Sequence, residues 1–328
     1  MKMLLDLYSL KTFFALSKMS GVNNNLIVLT DLDEQRPDNA ARSSLPERII
    51  EFYEEASVDY EHWSRDFNMH LGFYRRGLNP FNREKMLEQL NLEIAARLHL
   101  ESGDTAFLID LGCGAGAISR SIAKNYPNVI IKGVTIVPSQ VEMAVRLNIR
   151  ENLQKRIEIF RKDYTALPFE DGAADGVWAV ESACYAEGFV KENLAREMAR
   201  VLKTGGRFVI ADCFIKQPGE KFNALIGRCY SEICKNWALS EMPALDYFVA
   251  GLKRHNFGDI VVEDISWRVA PSLAHAPYAV LTFLLKKFFA GEPLKQKSIG
   301  NLKASLLAPV LGLSRSKFGY YLVSGRRV

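Results

Sequence analysis

The stretch AFLIDLGCGAG, residues 106–116, constrains the fold of this chain more than any other. A short apolar run ends in an acid, Asp110, and gives way to glycines at Gly112, Gly114 and Gly116. The run reads as a strand, and Ala117 to Asn125 reads as the helix it feeds. Glycine tolerates positive φ and lets the backbone approach a ligand without a Cβ clash. The helix start beyond it offers free N–H groups and the positive dipole end. Taken alone, the same glycines also fit plain strand–turn–helix packing.

Strand and helix patterns alternate on both sides of this turn. VIIKGVTIV, RIEIF, GVWAVES and RFVIADCF read as further strands, with helical spacing between them at Ser139 to Asn148 and Lys191 to Leu202. Such alternation means βαβ units and a parallel sheet covered by helices on both faces. IVVEDIS and GYYLVSG add two late strand candidates among apolar helical segments. The expected fold is therefore α/β: a Rossmann-like, seven-stranded, mostly parallel sheet with an N-terminal helical segment and a helical lid. Residues 1–45 are expected to form an N-terminal extension and 46–100 a helical, aromatic cap. Residues 101–328 would be the main domain, with lid insertions at about 219–256 and 272–311. Within the cap, apolar spacing predicts a helix from Leu45 to Tyr60 and another from the cap residue Asn82 to Leu100.

Composition narrows the function classes. Lys and Arg number 42 against 38 Asp and Glu, a net charge of +4 with the basic residues spread along the chain. That excess suits an anionic substrate but is too weak for nucleic acid. The 5 cysteines lack zinc-type spacing, so reduced thiols and a cytoplasmic location are expected. No apolar run reaches the roughly 18–20 residues needed to cross a bilayer. The N-terminus MKMLLDLYSLKTFFALS reads as a faint signal peptide interrupted by Asp6 and Lys11, as a short amphipathic helix, or as an over-annotated start. The sequence carries no signal for oligomeric state.

The GxGxG spacing preceded directly by Asp110 differs from the GxGxxG of nicotinamide-binding units. It is followed by DYTALPFEDGAADGVWAVES and RVLKTGGRFVIAD. Over about 105–215 this series resembles the class I S-adenosylmethionine-dependent methyltransferases. The resemblance implies that Gly112, Gly114 and Gly116 pack against the methionine part of the cofactor and that Asp110 positions its amino acid end. It places Asp163 and Tyr164 beside the adenine. Where the family often has an acid for the ribose, this chain has GVTIVPSQ, with Thr135 and Gln140 supplying neutral hydrogen bonds. That variant resembles the sterol side-chain, tocopherol and cyclopropane-type carbon methyltransferases.

On the substrate side, DYEHWSRDFNMHLGFY is unusually aromatic. The resemblance to the sterol and tocopherol enzymes implies that this stretch folds over the cofactor. Tyr60 and His70 would then face the reacting centre, and Trp63, Phe67 and Phe73 the substrate. The same rings also fit simple core packing. After the fourth strand, ESACYAEG holds Glu181 and Tyr185, the latter where those enzymes carry histidine. Glu181 fits a structural acceptor near the cofactor, and equally a group that accepts a proton or steadies a cation. Loss of the histidine removes the obvious base, and the Tyr185 π-face suits a carbocation, although the ring also fits packing beneath the lid. Arg75 and Arg76 follow the aromatic stretch, as a diphosphate clamp or a solvated turn. No DDxxD-type metal cluster is present, and Mg2+ enters only if the substrate is a diphosphate.

The sequence thus resembles bacterial prenyl diphosphate C-methyltransferases of the sodorifen type. It is expected to methylate an alkene carbon of an isoprenoid, first among them farnesyl diphosphate, with cation cyclisation as a coupled outcome. A sterol, tocopherol, quinone or phenol acceptor is the alternative, and a non-catalytic module on the same fold is the alternative of another class.

Overall fold

The computed structural model describes residues 44–101, 103–216 and 222–328. The readings of the extension before residue 44 lie outside the described residues. Helix α1, Leu45–Ala56, starts at a capping box: Ser44 Oγ accepts from Glu47 N at 3.4 Å and Glu47 Oε2 accepts from Ser44 N at 2.7 Å. The expected single helix to Tyr60 is broken after Ala56 by a tighter 3-10 turn, Ser57–Asp59, and resumes as α2, Tyr60–Trp63. The turn buries Ser57, whose hydroxyl accepts from Gln140 Nε2 at 3.3 Å. Helix α3, Arg83–Arg97, begins where its cap predicts, with Asn82 Oδ1 accepting from Lys85 N at 3.1 Å.

The sheet contains β1 (Phe107–Leu111), β2 (Ile130–Thr135), β3 (Ile157–Arg161), β4 (Ala174–Val180), β5 (Leu202–Ile215), β6 (Phe257–Asp264) and β7 (Phe318–Arg327). Their order is β3-β2-β1-β4-β5-β7-β6, with the first five parallel and β7 antiparallel to both neighbours. The period of two sorts side chains onto both faces. Leu108, Ile131, Trp178 and Val209 fill one core, and Ile109, Val134, Val177 and Ile210 fill the other. Helices α4 (Ala117–Asn125), α5 (Pro138–Arg150) and α6 (Glu192–Val201) make the parallel crossovers.

The late helical segments are arranged in two groups. Helices α7 (Ala224–Asn236) and α8 (Leu245–Arg254) lie between β5 and β6 in the chain. Helices α9 (Ser266–Leu273), α10 (Ala276–Ala290) and α11 (Gln296–Leu313) lie between β6 and β7. Both groups follow strand ends, so the chain spends its extra length around one rim of the sheet.

Candidate active site

The strand order reverses between β1 and β4, and open α/β sheets bind ligands at the carboxyl ends of strands at such a switch point. The glycine turn leaves β1 there. Gly112 N and Cys113 N both donate to Val134 O at 2.9 Å, pinning the turn to β2. Gly112 has φ 75°, and a Cβ added to it would lie 2.5 Å from Ser182 Cβ, so both conformation and space demand glycine. Beneath the turn, the carboxylate of Asp110 accepts from Ser119 Oγ at 2.7 Å, and burial pushes its pKa up to about 7.

A cavity of about 270 Å³ opens over this turn, lined by Asp110, Gly112, Gly114, Thr135, Gln140, Asp163 and Tyr164. Thr135 Oγ1 donates to Gln140 Oε1 at 2.7 Å, and the Tyr164 hydroxyl donates to Ser182 O at 2.8 Å. Asp163 Oδ1 accepts from Thr165 N and Oγ1 at 2.8 and 2.7 Å. Phe67, held at φ 58°, also lines it.

A second cavity of about 480 Å³ lies alongside, lined by Tyr60, Trp63, Trp237, Val280, Phe283 and Phe318 among others. Its wall is mainly apolar and aromatic, which suits a hydrocarbon acceptor. The two cavities share five lining residues: Tyr53, Met69, His70, Glu181 and Tyr185. A group bound on one side can therefore meet a group bound on the other at these five side chains.

At that junction Glu181 occupies φ 47°, a conformation that non-glycine residues adopt mostly where tertiary contacts impose it. Its Oε1 accepts from Leu71 N at 2.7 Å and from the Tyr320 hydroxyl at 2.9 Å. The first bond ties the aromatic segment to the end of β4. Burial, with the nearby Asp212 charge, lifts the Glu181 pKa to about 7. Asp212, 3% exposed, lines the larger cavity and accepts from Cys184 N at 2.9 Å and Cys213 N at 2.8 Å. Burial likewise lifts its pKa to about 6. Two carboxyls poised near neutrality thus face an apolar chamber, an arrangement suited to accepting a proton or balancing a cation.

Tyr185 and Tyr53 share a hydroxyl–hydroxyl hydrogen bond of 2.8 Å, with their rings edge-on at 5.8 Å. Tyr60 lies 6.5 Å from Tyr53. Burial raises all three phenol pKa values, so these tyrosines remain neutral and present rings rather than bases. His70 has Leu71 O at 2.9 Å from Nδ1 and Asn68 Oδ1 at 3.1 Å from Nε2, and burial lowers its pKa to about 4. The neutral ring carries one N–H and donates to one of these two oxygens, a bond within its own segment that anchors the segment at the junction.

Some of the residues singled out in the sequence are not brought to either cavity. Arg75 and Arg76 are exposed on the turn closed by Leu78 N to Arg75 O at 3.0 Å, and neither lines a cavity. Adjacency to the aromatic stretch does not aim them inward, because the chain turns away at Tyr74, whose N–H donates to Arg268 O at 2.7 Å. Phe73 is buried in the sheet core. Gly116 is the left-handed cap of α4, with Arg120 Nη1 3.4 Å from where its Cβ would stand, so it shapes the turn from behind. Among the described residues, no group of three or more His, Cys, Asp or Glu is placed to hold a metal ion.

Other contributors lay beyond the sequence reading. Asp212, Tyr53 and Tyr320 come from β5, α1 and β7, and only the fold unites them. Buried Arg120 donates to Ala115 O and, at 2.6 Å, to Asp66 O, clamping the glycine turn to the aromatic segment. Buried Lys191 donates to Cys184 O at 3.1 Å, Ala186 O at 2.5 Å and Glu241 O at 2.9 Å, fixing the short turn that carries Tyr185.

The fold and the glycine turn at its switch point define a class I methyltransferase architecture, and the comparisons agree. Residues 109–210 match the family model described as a methyltransferase domain. The chain is 28% identical to the chloroplastic tocopherol O-methyltransferase of Arabidopsis thaliana, over 82% of this chain and 78% of that protein. It is 26% identical to the sterol 24-C-methyltransferase of Saccharomyces cerevisiae, over 70% of this chain and 60% of that one. The crystal structure of geranyl diphosphate C-methyltransferase from Streptomyces coelicolor superposes with a TM-score of 0.64 at 16% identity, covering 88% of this chain and all of that one. Residues 109–210 are thus a methyltransferase domain, and the chain as a whole is similar to these methyltransferases.

Proposed function

We propose that this enzyme methylates an alkene carbon of an isoprenoid, with a prenyl diphosphate such as farnesyl diphosphate as the leading acceptor. The observation that carries the reading is the junction of the two cavities at Tyr53, Met69, His70, Glu181 and Tyr185. When bound, S-adenosylmethionine supplies an electrophilic methyl group on a sulfonium. Gly112 and Gly114 fit its methionine part, Asp110 its amino acid end, Thr135 and Gln140 its ribose, and Asp163 and Tyr164 its adenine. Holding both reactants in contact across the junction supplies much of the acceleration, since effective molarities reach on the order of 10⁵–10⁸ M.

The remaining chemistry falls to this chain's own side chains. As the alkene π-electrons form the new carbon–carbon bond, the carbon–sulfur bond breaks and the acceptor is left as a tertiary cation. The neutral rings of Tyr60 and Tyr185 face that charge, each contributing about 0.5–2 kcal/mol. Glu181, with Asp212 behind it, takes the proton whose loss restores an alkene, and cyclisation of the cation can precede that step. Arg315 lines the larger cavity and shares Asp264 with Lys216, at 2.8 and 3.4 Å, so two cations face one acid there. That excess positive charge fits the anionic end of the acceptor.

Glu181 would serve equally as the base for a phenol, the second reading, favoured by the likeness to tocopherol O-methyltransferase. Turnover with farnesyl diphosphate, farnesol, a sterol and a tocopherol-type phenol separates the readings. Preferred turnover of farnesyl diphosphate over its alcohol supports the first. Exclusive turnover of the phenol overturns it.

A further inference from the structure

Acidic residues are not evenly distributed along this chain. Residues 266–328 hold ten of the 42 Lys and Arg but only one of the 38 Asp and Glu, Glu292. Within that stretch, α10 (APYAVLTFLLKKFFA) is apolar around most of its circumference. A helix of that kind is ordinarily enclosed on all sides. Here one face lines the larger cavity through Ala276, Ala279, Val280 and Phe283. On the opposite face, at helical spacing, Tyr278 is 66% exposed, Leu281 55%, Phe288 77% and Phe289 82%. Exposed Lys286 flanks that face, whereas Lys287 lies over the Phe283 ring on the inner side and pairs with Glu292 at 2.7 Å. Trp267 and Leu313 are 74% and 79% exposed and also line the larger cavity, so the cavity opens beside apolar surface.

We infer that the α9–α11 rim is a docking surface for an anionic lipid bilayer. A cluster of exposed aromatic rings with lysine at its border matches the chemistry of a membrane interface. Lys287, Lys297, Lys303, Arg315 and Arg326 are held in ion pairs with Glu292, Glu51, Glu232, Asp264 and Asp259, so the attraction to an anionic leaflet, about fivefold in partition per basic side chain, falls chiefly to exposed Lys286 beside the rings. Among the described residues no helix is long and apolar enough to cross a membrane, so the contact is peripheral. Docked this way, Trp267 and Leu313 place the cavity mouth against the lipid, and an apolar acceptor reaches Tyr60 and Trp63 without crossing water.

The test is co-sedimentation of the full chain with vesicles of phosphatidylcholine, with and without phosphatidylglycerol. Binding is expected to the phosphatidylglycerol vesicles and to weaken with added salt. Phe288→Ser with Phe289→Ser should lower that partition about tenfold or more, with affinity for S-adenosylhomocysteine unchanged as the control for folding. Lys286→Gln should lower it about fivefold on anionic vesicles only. Absence of vesicle binding overturns the inference, as does binding that ignores the phenylalanine pair. A change in oligomer size by gel filtration, with vesicle binding unaltered, assigns the face to a second copy of the chain and equally overturns it.

Discussion

Glu181→Gln is expected to make the enzyme more stable and much less active at once. The carboxyl titrates at about 7 in the fold against an ordinary 4.5, because burial disfavours its charge. That difference corresponds to roughly 3 kcal/mol of strain carried by the ionised form. The sign follows from the raised value. Below about pH 4.5 the group is neutral in both folded and unfolded chains and contributes no penalty. As pH climbs to about 7 the unfolded chain alone releases its proton, so folded stability declines, and it levels off above that value. Glutamine keeps an oxygen to accept from Leu71 N and Tyr320 and carries no charge. Denaturant unfolding at pH 8 should therefore show the variant more stable by roughly 3 kcal/mol, with the gap closing toward pH 4.5. Turnover should fall by about 10²–10⁴, the usual worth of a positioned base. The rise in wild-type kcat through pH of about 7 should vanish from its profile. Undiminished turnover, or a variant less stable than wild type at pH 8, would refute the reasoning.

Further outcomes follow from the same geometry. Gly112→Val should abolish cofactor binding by calorimetry, since its Cβ alone lies 2.5 Å from Ser182 Cβ; retained affinity would move the cofactor elsewhere. Tyr185→Phe should keep most activity while Tyr185→Leu loses roughly 2–30-fold, the equivalent of one cation–π contact. Equal loss in both would give the work to the hydroxyl instead. Replacing Arg75 and Arg76 together by Gln should leave KM for a prenyl diphosphate within about twofold of wild type, because neither side chain lines a cavity. A tenfold rise would place them at the substrate after all.

Much of this fold was legible because its signals are local. The run ending at Leu111, the glycine turn and the helix Ala117–Asn125 stand where period and glycine placement predict. The cap at Asn82 is equally local. The two-cavity junction was only half legible. Glu181 and Tyr185 stand within one short motif, whereas Asp212 is an acid inside a strand whose meaning depends on Cys184 coming within 2.9 Å. Tyr53 reads as one more apolar position of α1 until the fold sets it 2.8 Å from Tyr185. Arg75 and Arg76 misled for the converse reason: neighbours in sequence need not face the same way once a turn intervenes. The basic character of residues 266–328 was hidden by a whole-chain charge of only +4.

The central claim is that the methyl group crosses the junction to an alkene carbon. Turnover of farnesyl diphosphate with S-adenosylmethionine labelled as trideuteromethyl, followed by NMR of the product, reads that transfer directly. An intact CD3 group bonded to carbon is expected, with one substrate hydrogen lost at an adjoining or ring position. A label found only on oxygen or nitrogen of any accepted substrate would contradict it.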